Sequence, residues 1–291
     1  MAGARQIVDG PTFTPSRLGL LDVVQFPTPA GPHWQNGITW ASTCVTGGTT
    51  YDECITVTGT GSPPAPAAFA DNVDWNNRGA TPFTIYTEFD CSPVGFFEDA
   101  QKLAEEMLAK SESWQVEQAV WTGTAGGTAN AVWPHLAAFT AAVDSQSITL
   151  QSPAVTGGLL KPSRALGAVE AILADCYHGQ GVIHIPLDIL NTFIQNGMMF
   201  RQSDGSYLTP SGNLVVAGSG YPGTSPQGAA PAANTMWIYA TGAIFAYRSA
   251  VRIHSPRESL DRAENTVKMI AQRTYVLGWD CCHAGVLVDL A

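Results

Sequence analysis

Charge is scarce in this chain. Asp, Glu, Lys and Arg make up 13% of its 291 residues, about half the roughly 25% of an ordinary soluble protein. A globular chain with so little surface charge hides much of its exterior against other copies or partners. A loop-rich β protein surfaced with Ser, Thr and Asn would share the composition; assembly is the preferred reading. Basic residues are fewer still: 14 against 24 acidic ones give a net charge of −10, which excludes nucleic-acid binding through a broad basic face. Long apolar runs are missing too. No charge occurs between Asp204 and Arg248, yet Pro210, Pro222, Pro226 and Pro231, with many Gly, Ser and Asn, break any membrane-spanning stretch there. The first residues, MAGARQIVDGPTF, lack the apolar run of a signal peptide, so export is not expected.

Cysteines 44, 54, 91, 176, 281 and 282 do not make a disulfide framework in a chain of this length, and reduced thiols are expected. Cys281, Cys282 and His283 suggest a metal or nucleophile site. Neighbours on a strand point to opposite faces, however, and no Cys-x-x-Cys exists to complete a tetrahedral set. His178 and His184 flank an apolar strand with Asp175 and Asp188 nearby in sequence, but nothing in their spacing demands a Cys, His and Asp triad. Gly218, Gly220 and Gly223 satisfy G-x-G-x-x-G; Pro222 and the TSPQG that follows cannot open the helix a pyrophosphate needs, so a turn is expected. No Walker loop, nucleophile elbow, H-E-x-x-H or internal repeat is present. The expectation is no catalytic residue, no cofactor-binding residue, no metal ligand and no cofactor.

What the chain does have is a long amphipathic helix between Cys91 and Gly123. Ser92 and Pro93 signal its start, Glu98 and Asp99 suit its first turn, and Gly123 its stop. From Phe96 to Trp121 it would run roughly 39 Å. Its expected buried stripe is Phe96, Ala100, Leu103, Ala104, Met107, Leu108, Trp114, Ala119 and Trp121. The other face carries Glu98, Asp99, Glu105, Glu106, Glu112 and Glu117 against Lys102 and Lys110, making an acidic strut. Six of the 14 basic residues, Arg248, Arg252, Arg257, Arg262, Lys268 and Arg273, cluster near the C-terminus and could face it.

Around the strut, residues 1 to about 35 read as an extended Pro-rich arm whose apolar patch, Leu18, Leu20, Leu21, Val23, Val24 and Phe26, needs a partner surface. A disordered tail is the competing reading. From Gly37 to Arg78 the pattern is a long β excursion with strands at ITWASTCV and YDECITVTG and a non-strand segment at residues 59–68. Pro82–Cys91 is a strand. After the glycine-rich Gly123–Asn130 come a weak helix over Trp133–Val143 and a clear one beginning at Ser163 and stopping at Gly179, with Leu166, Val169, Ile172, Leu173 and Cys176 on one stripe. A buried strand GVIHIP, a short helix DILNTFIQN, turns, and β pattern from Met236 to Leu290 complete the chain.

This order resembles the Hong Kong 97-type major capsid protein of tailed double-stranded DNA bacteriophages. EEMLAKSESWQVEQAVWTGTAGG (Glu105–Gly127) looks like the family's spine helix running into its glycine-rich loop. VVAGSGYPG (Val215–Gly223) followed by IYATGAIFAYRSAVRI (Ile238–Ile253) looks like its passage from A-domain back to P-domain. AENTVKMIAQRTYVLGWD (Ala263–Asp280) looks like the final long strand.

The resemblance implies an α+β chain with the Hong Kong 97-like capsid fold: N-arm 1–35, E-loop 36–81, P-domain 82–132, A-domain 133–240, P-domain again 241–276, and a return to the A-domain over 277–291. It implies a non-enzymatic subunit that self-assembles through hexamers and pentamers into an icosahedral head. The head would enclose double-stranded DNA without sequence-specific binding, be assembled in the host cytoplasm, and use a portal and a cement protein but no membrane. Between Gly37 and Pro82 there is no lysine, so the family's lysine-to-asparagine cross-link is not expected. No long N-terminal helical segment is legible, so a scaffold would be a separate protein. An encapsulin-like nanocompartment shell is the alternative within the fold, and a cytoplasmic hydrolase using Cys282 or His184 the alternative outside it.

Overall fold

The computed structural model describes residues 13–15, 17–29, 31–45, 73–91, 97–138, 149–151, 159–226, 228–254, 260–261 and 266–291. In chain order, α1 (Leu20–Val23) leads through a 3-10 turn (Pro32–Asn36) to β1 (Ile38–Val45), β2 (Val73–Ala80), β3 (Pro82–Cys91) and the long helix α2 (Phe97–Thr122). Then come β4 (Thr149–Gln151), α3 (Pro162–Cys176), β5 (Val182–Pro186), α4 (Leu190–Gln195), β6 (Phe200–Arg201), β7 (Tyr207–Leu208) and β8 (Leu214–Gly218). The chain closes with β9 (Thr235–Thr241), β10 (Ile244–Arg248), β11 (Arg252–Ile253), β12 (Leu260–Asp261), β13 (Thr266–Trp279) and β14 (His283–Asp289).

β1 and β2 form an antiparallel ribbon from Ile38 opposite Ala80 to Val45 opposite Val73. The sequence suggested Tyr51–Gly59 as the partner of ITWASTCV. The structure pairs it instead with Val73–Ala80, whose Asp, Asn and Gly make it a poor strand by composition, so the ladder overrides propensity. Residues 51–59, the segment 59–68 and the start signal at Ser92 and Pro93 lie outside the described residues.

β13 organises the five-stranded sheet. One edge pairs with β3 along ten residues, Pro82 opposite Val276 to Cys91 opposite Val267; the other pairs in turn with β10, β11 and β12. Its alternation is legible on β3: Phe83 and Ile85 are buried while Thr84 and Tyr86 are exposed, as a sheet with one covered face requires.

The seven-stranded sheet runs β4-β14-β9-β5-β8-β7-β6. Period-2 alternation divides its side chains into two buried sets. Ile183, Ile185, Val215, Ala217, Ile238, Ala240, Ala284, Val286 and Val288 pack with Leu166, Val169 and Leu173 of α3 and Phe193 of α4. Val182, Val216, Trp237 and Tyr239 join a second cluster with Trp121, Val132, Leu136 and Tyr221. That second core continues into the five-stranded sheet through Phe83, Ile85, Ala271 and Tyr275, so the two sheets share one apolar body.

The helix α2 spans 26 residues, close to the expected extent. Its buried line keeps Ala100, Ala104, Leu108, Ala119 and Trp121 of the expected stripe and departs from it elsewhere. Ala100, Ala104, Leu108, Val116 and Val120 are buried at four-residue steps, whereas Leu103, Met107 and Trp114 are 38%, 40% and 48% exposed. A four-residue step overshoots the 3.6-residue turn by about 40°, so this line winds around the helix. It meets β3 at Ala104, whose carbonyl accepts from Thr87 Oγ1, and the seven-stranded sheet at Trp121, which packs on Tyr239.

Two further expectations are corrected. Residues 133–138 of the weak helix are irregular, and the rest of it lies outside the described residues. The amides of this loop serve the end of α2: Leu136 N–H donates to Val120 O and Ala137 N–H to Trp121 O, taking carbonyls that have no partner within the helix. The N-cap of α3 is Lys161, with Pro162 in the first turn, rather than Ser163; beyond its end at Cys176, His178 takes the positive φ (55°) expected of Gly179.

Candidate functional site: the junction around Glu117

Glu117 lies where three segments meet. Its side chain is 1% exposed. The amides of Leu20 and Gly220 donate to its two oxygens at 3.0 and 2.9 Å, and the hydroxyls of Ser113 and Ser219 add bonds at 3.1 and 3.3 Å. Burial pushes its pKa up, and the four hydrogen bonds oppose that. A carboxylate that accepts from backbone on both sides works as glue between segments. Here it joins the arm, α2 and the loop after β8.

The glycines of the G-x-G-x-x-G stretch are explained by this contact. A Cβ on Gly220 would stand 2.3 Å from Trp114 O, and one on Gly218 would meet the Tyr221 ring at 2.7 Å. Gly223 has φ +67°, a conformation that favours glycine. The stretch is a turn folded against a helix, as expected, and α2 supplies a carboxylate where a phosphate site would need positive potential.

The arm segment is fastened at further points. Ala217 N–H donates to Leu18 O, Gln25 N–H to Ile244 O, and Ala246 N–H to Gln25 O. Leu20 and Val24 are buried in the main core, and Arg248 sits 4.4 Å over the Phe26 ring. The partner surface required by the apolar patch is therefore supplied, for these residues, by the chain's own body.

Glu112, one turn before Glu117, also turns inward. It accepts from Arg273 Nη1 at 2.6 Å and Tyr275 OH at 2.5 Å, so a residue of the basic C-terminal stretch does face the acidic helix. The acidic face of the helix was thus misassigned at two positions: Glu105 and Glu106 are exposed, but Glu112 and Glu117 are structural acceptors.

The residues considered for chemistry are dispersed. His184 is fully buried on β5, with Nδ1 against Tyr221 OH at 3.0 Å and Nε2 against Thr241 Oγ1 at 3.1 Å; burial, reinforced by nearby His283, pushes its pKa down to about 3. His283 bonds Leu136 O at 2.9 Å and is likewise pushed down to about 3, first by burial. Asp175 is exposed at the end of α3 and Asp188 beyond the far end of β5, so neither comes up beside His184 within the sheet. His178 is exposed. Cys281 precedes β14 in a loop with φ +39°, so the strand argument for Cys281 and Cys282 does not apply. Cys282 is bonded to Cys176 with a Cα–Cα distance of 5.8 Å, correcting the expectation of reduced thiols for this pair.

Among the described residues no group of three or more His, Cys, Asp or Glu side chains could hold a metal ion, and no helix is long and apolar enough to cross a membrane. A cleft of about 1200 Å³ opens beside the end of α2, lined by residues such as Gln118, Thr122, Trp133, His135 and Thr224, and among the described residues its wall holds no Lys, Arg, Asp or Glu.

The sequence reading missed Glu117, Glu112 and Tyr221. A signal existed for the first: Glu117 is the one charge in WQVEQAVW (Trp114–Trp121), an otherwise uncharged stretch.

No protein-family model matches the chain, and no curated protein matches it. Solved structures do. The chain is similar to the capsid chain of a native GTA particle, at 9% identity and TM-score 0.56 over 99% of this chain and 95% of that one. It is similar to the capsid chain of Ralstonia phage GP4, at 8% identity and TM-score 0.55 over 99% and 96%. It is also similar to the SrpI encapsulin from Synechococcus elongatus PCC 7942, at 12% identity and TM-score 0.53 over 100% and 94%. The fold is therefore the α+β Hong Kong 97-type capsid fold along nearly the whole chain.

Proposed function

We propose that this chain is a major capsid protein: a subunit that assembles with copies of itself, through hexamers and pentamers, into an icosahedral phage head around double-stranded DNA. The observation that carries the reading is the end-to-end likeness to capsid chains, 99% of this chain against 95% of the GTA capsid chain. The low charge content and the exposed Leu103, Met107 and Trp114 on one face of α2 support it, since a subunit enclosed by neighbours needs apolar contact surface.

Its role is mechanical. The segments fall into the arm 1–35, hairpin 36–81, P-domain 82–132 and 241–276, and A-domain 133–240 with the return over 277–291. Scaffold, portal and cement proteins are separate partners, DNA is cargo held without sequence-specific contacts, and the place of action is the virion after assembly in the host cytoplasm.

A second reading, an encapsulin-like shell around protein cargo, is favoured by the likeness to SrpI encapsulin. The hydrolase reading has no support in the geometry, because both ring nitrogens of His184 are engaged and Cys282 is buried. Expression in a bacterium, followed by electron microscopy and analysis of particle contents, separates the shell readings. DNA-sized interiors filled only with a packaging machinery present indicate the phage head, and shells that retain protein indicate the compartment.

A further inference from the structure

Cys176 is the last residue of α3, and Cys282 immediately precedes β14. They are 106 residues apart in sequence, yet their Cα atoms are 5.8 Å apart, within the span a disulfide bridges without backbone movement. Backbone contacts help to hold the loop that carries Cys282 in place. Gly242 N–H donates to Cys282 O and Asp280 N–H to Ala243 O, and a Cβ at Gly242 would stand 2.1 Å from Asp280 O. Cys281 and Cys282 are each 6% exposed, whereas Cys176 is half-buried on the helix side. Both members of the pair pack in the core between α3 and the seven-stranded sheet.

We propose that Cys176 and Cys282 form an oxidation-responsive brace that is open, as two thiols, when the chain folds in a reducing compartment and closes when a disulfide oxidant reaches it. This inference does not depend on the shell reading. Cys176, the more accessible, attacks one sulfur of a small disulfide such as oxidised glutathione as the thiolate and expels one glutathione thiolate, giving a mixed disulfide. Cys282 thiolate then attacks the Cys176 sulfur and expels the second. The protein loses two protons and two electrons; one glutathione disulfide becomes two glutathione thiols. Because the 280–282 loop is already positioned, the second step needs no rearrangement of the sheet. The closed bond ties α3 to β14 and shuts a long loop, the case in which a cross-link restricts the unfolded chain most.

The test uses the full chain purified under reductant and then equilibrated in glutathione buffers of increasing oxidised fraction. Peptide mass spectrometry without reductant should show a Cys176–Cys282 linkage, and the thermal midpoint should rise by roughly 10 °C and fall back when dithiothreitol is added. The rise should vanish in Cys176→Ser and in Cys282→Ser. The wild-type comparison with and without reductant needs no variant, so a misfolded mutant cannot obscure the answer. Thiols at 176 and 282 that stay open to alkylation in oxidising buffer, a linkage to Cys281 in place of Cys282, or a bond that leaves the midpoint unmoved would each overturn the brace.

Discussion

Leu20 and Glu117, 97 residues apart, are joined by a buried hydrogen bond of 3.0 Å from the Leu20 amide to the Glu117 carboxylate, and the same carboxylate holds Gly220 from the other side. Glu117→Ala would leave two buried amides without an acceptor, each costing roughly 1–3 kcal/mol. Urea unfolding at neutral pH should show a loss of about 2–5 kcal/mol, with limited proteolysis newly cutting near Arg17. A variant as stable as wild type would show that the junction is incidental.

The pH dependence of this site has a definite sign. Burial raises the folded-state pKa of Glu117 above its ordinary value of 4.5, so its contribution is largest below that value and declines as pH rises through the raised one. Glu117→Gln removes the titration. The stability difference between wild type and this variant should therefore shift against wild type as pH rises from about 4; a difference independent of pH would contradict the assignment.

His184 and His283 act in the opposite direction. Both are held neutral, with pKa values pushed down to about 3, while in the unfolded chain they titrate near 6.5. The unfolded state thus binds more protons between these values, and stability contributed by the neutral rings is full above 6.5 and lost as pH falls toward 3. Unfolding midpoints measured at pH 7, 6, 5 and 4 should decline, and His184→Gln should decline less steeply though starting lower. A wild-type profile flat over that window would contradict the burial argument.

Gly220→Ala should destabilise the fold by about 2–4 kcal/mol, because the new methyl would press on the Trp114 carbonyl of a packed helix and not on a flexible side chain. Gly212→Ala has open space around it, and its cost should come from its positive φ alone, roughly 1 kcal/mol. Chemical unfolding of the two variants side by side checks the order.

Leu103→Asp with Met107→Asp places charge on the exposed stripe of α2 without touching the buried line. Monomer stability should change by less than about 1 kcal/mol, while assembly into large particles should be lost. Complete shells from the double variant would show that this face does not mediate contact.

Much of the fold was legible because its signals were local. The α2 pattern, the strands at Ile38, Pro82 and Val182 and the long final strands all declared themselves by period and composition. What was not legible depended on partners distant in sequence. Val73–Ala80 is a strand only because β1 pairs with it. Leu103, Met107 and Trp114 match a buried stripe by spacing as Ala100, Ala104 and Leu108 do, yet only the second set meets the sheet, where the two alanines allow close approach. Glu112 and Glu117 read as surface charge until Arg273, Tyr275, Leu20 and Gly220 are brought to them. The arm shows the same limit: removing everything before Gln35 would also remove buried Leu20, Val24 and Trp34, so it would damage the core before it tested assembly.

The central claim is that this chain builds a closed shell. Negative-stain electron microscopy with light scattering on the purified protein, alone and with a co-expressed scaffold, measures it directly. The account predicts rings of five or six subunits, or closed particles tens of nanometres across. A well-folded monomer that stays monomeric at high concentration and with scaffold present would contradict it.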